Sequence, residues 1–193
     1  FDAGAMEAVT EYLYEKVPEP FCNSVGGEWL VVALARSGFQ AEDTYWQKYE
    51  ANVTKTVQQA DGVLHTPTGY KYTEYARIIL AWTAIGKNPQ DVAGYDFMER
   101  LDDMENVCRQ GINGPIWALI AFDCGGYEMP DSRANDPVSR EALVSVILEA
   151  QLSDGSWGLV DQSSDVDLTA MALTALAPYY LNEEEANQIQ QDT

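Results

Sequence analysis

Asp161, Asp165 and Asp167 lie close together just ahead of the largely apolar stretch that begins at Leu168. Clustered carboxylates are hard oxygen ligands of the kind calcium takes, but the segment lacks the turn glycine and the correctly spaced bidentate carboxylate of an EF-hand loop. No structural metal and no cofactor is expected. An aspartate at a helix start has a simpler use, accepting hydrogen bonds from the first free amides and complementing the helix dipole. Capping by Asp165 or Asp167 is the favoured role, with a metal or ligand role as the alternative. His65 is the sole histidine and sits in the loop-like stretch Leu64 to Gly69, which argues against Ser-His or Cys-His nucleophilic chemistry and against a histidine-rich metal site. Cys22, Cys108 and Cys124 cannot all pair with one another and lack the spacing of a zinc knuckle or a redox pair. They are expected to be buried structural thiols.

The chain that must position these groups has 193 residues, 46% of them hydrophobic and 22% charged. That is enough for one ordinary globular domain spanning 1–193. Eleven basic against 31 acidic residues give a formal charge of −20. The resulting field repels phosphates and anionic headgroups, so nucleic acid and membrane surfaces are excluded as expected partners. No stretch approaches ~20 uninterrupted apolar residues, so no membrane insertion is expected, and the first residues lack the basic and apolar regions of a signal peptide. A signal removed ahead of Phe1 is compatible with this.

Apolar residues recur at three- and four-residue intervals almost throughout, which predicts an all-α fold. Helices are expected over Ala3–Lys16, Gly27–Ser37, Glu42–Gln59, Thr73–Ile85, Met98–Arg109, Pro115–Cys124, Ser139–Gln151 and Asp167–Tyr180. Four of them resemble one another, each having a large or long residue (Trp29, Arg77, Trp117, Met171) and an alanine four positions later. Those alanines, Ala33, Ala81, Ala121 and Ala175, recur at intervals of 48, 40 and 54 residues, which suits one helical hairpin per unit. The repeated helices are almost wholly apolar, so they must be surrounded, whereas their partners are amphipathic. Apolar helices in an inner ring and amphipathic helices in an outer one satisfy both demands.

Arg140-Glu-Ala-Leu143 followed by Gln151-Leu-Ser-Asp-Gly155-Ser-Trp157-Gly158 resembles the QW motif of the terpenoid cyclase and protein prenyltransferase superfamily. There the motif is structural, with the tryptophan folding back over a helix end, and the resemblance implies the same for Gln151, Gly155 and Trp157. Asp165-Val-Asp167-Leu168-Thr-Ala170 resembles the acid motif of squalene–hopene cyclases, in which an aspartate protonates an alkene. Asp167 takes that aspartate's place, yet Leu168 replaces the neighbouring carboxylate. The zinc trio of the prenyltransferases has no counterpart. The chain looks most like the α/α-toroid segments of secreted bacterial surface proteins, often called prenyltransferase/squalene-oxidase repeats, and more distantly like transcobalamin-type toroids. The resemblance implies a partial toroid of four to five hairpins, with a new start at Asn182, belonging to a larger exported chain at the bacterial surface or outside the cell, with other domains as partners.

If the inner-helix N-termini share one mouth, Glu28, Glu74, Asn113 and Asp167 gather there beside Trp29 and Trp117, an apolar pit with an acidic rim. Those residues are the candidate ligand-binding set, against the alternative that the tryptophans are core and the carboxylates caps. Tyr70, Tyr72, Tyr75 and Tyr95 offer a sugar-stacking or protein-binding face, or simple packing. The expected function is a non-catalytic toroid module binding a small ligand, glycan or protein partner. The alternative is a cyclase-like isomerase using Asp167, with Asp165 as the only nearby carboxylate to help it hold a proton, or a glycosidase using paired carboxylates.

Overall fold

The computed structural model describes residues 3–66, 69–132, 134–159 and 163–191. The fold is all-α: α1 (Ala3–Lys16), α2 (Trp29–Arg36), α3 (Asp43–Gln59), α4 (Tyr72–Ala84), α5 (Met104–Cys108), α6 (Asn113–Asp123), α7 (Arg140–Glu149) and α8 (Val166–Gln191). The only ladder among the described residues is a two-residue antiparallel hairpin, β1 (His65–Thr66) against β2 (Gly69–Tyr70).

The apolar helices form a layer in chain order, α2 against α4, α4 against α6 and α6 against α8. Its core is built from Val31, Ile78, Ile79, Trp82, Ile116, Leu119, Phe122 and Ala172, all buried. The amphipathic helices cover it with one face each: α3 buries Tyr45, Tyr49, Val53 and Val57, and α7 buries Leu143 and Ile147. A smaller cluster joins Leu30, Leu34 and Tyr45 to Leu13, Tyr14 and Val17 at the α1 end.

Three expected boundaries differ. The span Met98–Arg109 is not one helix but a 3-10 turn, Glu99–Leu101, followed by the short α5. The reason is competition for backbone groups: Val138 N–H donates to the Asp102 carbonyl and Met104 N–H to that of Asp136, while the Asp103 side chain caps α5 through the Asn106 amide. Second, α2 begins at Trp29, because Val25 is extended, Gly26 has φ 74° and Gly27 is also outside the helical region. A side chain on Gly27 would overlap the Phe21 carbonyl oxygen, so only glycine admits this close crossing of the chain. Third, α8 does not stop at Tyr180 with a new start at Asn182. The helical backbone runs through Pro178 to Gln191; one proline removes one amide donor, which a long helix tolerates at a cost.

The cysteines are free but not uniformly buried: Cys22 and Cys108 are half-buried and Cys124 is exposed. Cys124 caps the end of α6, where solvent reaches it while its thiol donates to the Ala121 carbonyl at 3.2 Å.

Trp157 closes the end of α7. It is buried, its indole N–H donates to the Ile147 carbonyl at 2.6 Å, and its own amide and carbonyl bind Thr169 Oγ1 (3.0 Å) and the Asp165 amide (2.8 Å). Gln151 Nε2 donates to the Gly155 carbonyl at 2.9 Å, bracing the turn that returns the chain to Trp157. One side chain thus ties the end of α7 to the start of α8.

Candidate functional site

The layer of apolar helices has its N-terminal ends on one side, and a cleft of about 580 Å³ opens there, lined by Ser24, Trp29, Thr73, Arg77, Asn113, Trp117 and Met171. Trp29, Arg77, Trp117 and Met171 are the residues that occupy the same place in the four repeats. Each follows its helix start closely, so helices packed side by side in the same sense bring the four together. The Trp29 and Trp117 rings lie 4.8 Å apart with planes inclined by 52°, and Trp29 keeps 36% of its surface exposed. Close packing at the start of α6 fixes that wall: a Cβ on Gly114 would overlap the Val107 carbonyl oxygen of α5. Gln110 Oε1 accepts from both the Thr73 amide and its hydroxyl, which ties the start of α4 to the loop before α6.

Behind the cleft lies a charged cluster. Arg77 is only 12% exposed and forms an ion pair with Glu74, one turn earlier on α4. Its Nε lies 3.6 Å from Glu28 Oε2, near enough for attraction and too far for a hydrogen bond. Glu28 is 1% exposed, and neither of its carboxylate oxygens has a hydrogen-bond partner; nor does Arg77 Nε or the Tyr49 hydroxyl. Burial raises Glu28 above the ordinary carboxylate range; Arg77 opposes that shift and the like charge of Glu74 reinforces it. The same burial, followed by the neighbouring Glu28, pushes the Cys22 thiol up to about 12 and the Tyr49 phenol well above its usual value.

The expected binding residues therefore separate. Trp29, Trp117 and Asn113 line the cleft. Glu28 lies beneath it rather than on a rim, because the Gly26–Gly27 crossing folds it inward beside Cys22 and Tyr49. Glu74 is half-buried and engaged by Arg77. Asp167 does not line the cleft: it is exposed on the first turn of α8. Asp165 caps that helix, its Oδ1 accepting from the Leu168 amide at 2.8 Å. Asp161 lies outside the described residues, as does the side chain of Tyr70. Tyr75 is buried with its hydroxyl accepting from the Leu64 amide, and Tyr95 donates to Asp61, so both serve packing and turn structure. The cleft also recruits Arg77, Met171 and Ser24. The repeat register pointed to the first two; the glycine crossing that delivers Ser24 has no such pattern.

Among the described residues, no group of three or more His, Cys, Asp or Glu side chains is placed to hold a metal ion. No helix among them is long and apolar enough to cross a membrane. The cleft wall presents indole surface from Trp29 and Trp117, a guanidinium paired with Glu74, the Asn113 amide and the hydroxyls of Ser24 and Thr73. No family model matches the chain, and no curated protein or solved structure matches it.

Proposed function

We propose that this chain is a non-catalytic α/α-toroid module of a bacterial cell-surface or secreted protein, and that it binds a small ligand, glycan or protein partner in the cleft between its apolar helices. The observation that carries the reading is the convergence of Trp29, Arg77, Trp117 and Met171, one from each repeat, on a single concavity. Convergent repeat positions create a shared surface that no single hairpin possesses. The indole of Trp157 bonded over the end of α7 supports the toroid resemblance, since that is the use the QW-type motif has in the superfamily.

The exposure of α8 supports a partial ring within a larger chain. Leu173 holds the repeat position of Val31, Ile79 and Leu119; those three are fully buried, yet Leu173 is 57% exposed. It lines an apolar groove of about 500 Å³ with Leu148, Leu176 and Tyr180. A further hairpin laid on α8 would bury it. Asp167 weighs against the cyclase alternative. Alkene protonation needs a carboxylic acid in a dry cavity, and Asp167 is an exposed side chain on the first turn of α8.

The test is a titration of the purified chain with neutral oligosaccharides, organic anions, organic cations and short peptides, reading the indole N–H resonances of the tryptophans. A saturable response at Trp29 and Trp117 from any class, weakened in Trp29→Ala, supports the reading. Silence at both indoles across all four classes overturns it.

A further inference from the structure

Resting on the cleft being a binding site, we infer that it takes an uncharged saccharide, with one pyranose face stacked on the exposed indole of Trp29 and the hydroxyls directed to Asn113, Ser24 and Arg77. The aromatic geometry comes first. Two rings 4.8 Å apart at 52° are in contact with each other, so they cannot sandwich a planar ligand between parallel faces. What stays accessible at the cleft is the exposed 36% of the Trp29 surface. A pyranose suits such a platform because one side of the ring is mostly C–H and the periphery carries hydroxyls.

Charge then narrows the class. An anion meets a guanidinium already paired with Glu74 and backed by Glu28, on a chain of formal charge −20. Little positive field is left to hold it. A cation finds no carboxylate in the cleft wall to pair with. A neutral ligand incurs neither penalty. Among neutral ligands, a hydrocarbon would cover Asn113, Ser24 and Arg77 without pairing them, and a polar group buried without a partner weakens binding. Vicinal hydroxyls instead donate to the Asn113 carbonyl oxygen and accept from its amide or from the guanidinium, which is held in place by its carboxylates. Glu28 and Glu74 are in this sense positioning residues: they orient Arg77 and cancel its charge. A volume of about 580 Å³ falls within the range of small-ligand sites.

The experiment titrates the protein with neutral trisaccharides of glucose, mannose and N-acetylglucosamine, and in parallel with a hexuronate trisaccharide, inorganic phosphate and choline. The readouts are the Trp29 and Trp117 indole resonances and calorimetric heat. At least one neutral trisaccharide should shift both indoles saturably. Trp29→Ala should weaken it about tenfold, with Trp29→Phe recovering part of the loss. Far-UV circular dichroism on each variant checks the fold, and Asn113→Ala supplies an independent loss on the polar side. Binding of only the uronate, phosphate or choline at these indoles overturns the saccharide inference and leaves the cleft as a binding site. Neutral saccharide binding that Trp29→Ala and Asn113→Ala both leave unchanged also overturns it. No response from any probe sinks the saccharide and, extended to the peptides, the binding reading as well.

Discussion

Leu119 and Leu173 occupy the same repeat position, yet truncating them to alanine should have very different costs. Leu119 is fully buried in the main core cluster, and a buried Leu→Ala change costs the lost transfer energy plus the cavity left behind, about 3–5 kcal/mol. Leu173 is 57% exposed, so less than half of its surface is at stake. The three carbons removed would be worth about 2.4 kcal/mol if fully buried, at ~0.8 each, and with partial coverage and no sealed cavity the cost falls to about 1 kcal/mol. With a urea slope of ~2 kcal/mol/M, Leu119→Ala should lower the unfolding midpoint by about 1.5–2.5 M and Leu173→Ala by about 0.5 M. The assay is equilibrium urea unfolding followed by tryptophan fluorescence, at two protein concentrations so that self-association shows as a concentration-dependent midpoint. Equal losses for the two variants at both concentrations would mean that the outer face of α8 is covered after all. The reasoning that this edge awaits another hairpin would then fail.

Trp157→Ala should cost about 3 kcal/mol or more, because it empties a buried site and orphans the Ile147 carbonyl; Trp157→Phe, which keeps most of the packing, should cost less, and calorimetry on both decides it. Glu28 is raised in the folded state, so its contribution is fully present below the ordinary glutamate range and is lost as pH rises through its folded value. The melting temperature of Glu28→Gln relative to the unaltered protein should therefore climb from about pH 4.5 upward and then level off, and a pH-independent difference would contradict the burial argument. Cys22, pushed up to about 12, should react with iodoacetamide at pH 8 on the order of 10³-fold more slowly than an ordinary thiol until the protein unfolds, as peptide mass spectrometry of the labelled chain can follow.

The all-α class and most of the helix spans were legible because hydrophobic periodicity records which face of each segment is buried. Over Met98–Arg109, tertiary hydrogen bonding overrides local preference. Asp102 and Asp103 sit in a stretch whose side chains suit a helix, but their backbone groups are claimed by residues 136–138, a partner that pattern along the chain does not reveal. The repeat register carried more of the site than composition did. Trp29, Arg77, Trp117 and Met171 align by sequence alone, and parallel packing of successive helices turns that alignment into adjacency in space. Glu28 shows where the method breaks. It is one residue from Trp29 and sits before an apolar helix, the ordinary setting of an exposed cap, yet two glycines with non-helical backbone rotate it inward against Arg77, Tyr49 and Cys22. Reading that from sequence would require treating Gly26-Gly27 as a chain crossing that aims the next side chain, and noting that Arg77 stands in a repeat position otherwise held by two tryptophans and a methionine. A guanidinium placed among apolar residues needs a counter-charge nearby in space. Glu74, one turn away on its own helix, supplies one such charge; Glu28, brought in by the glycine crossing, supplies the other, leaving Arg77 as a directional donor with little net field.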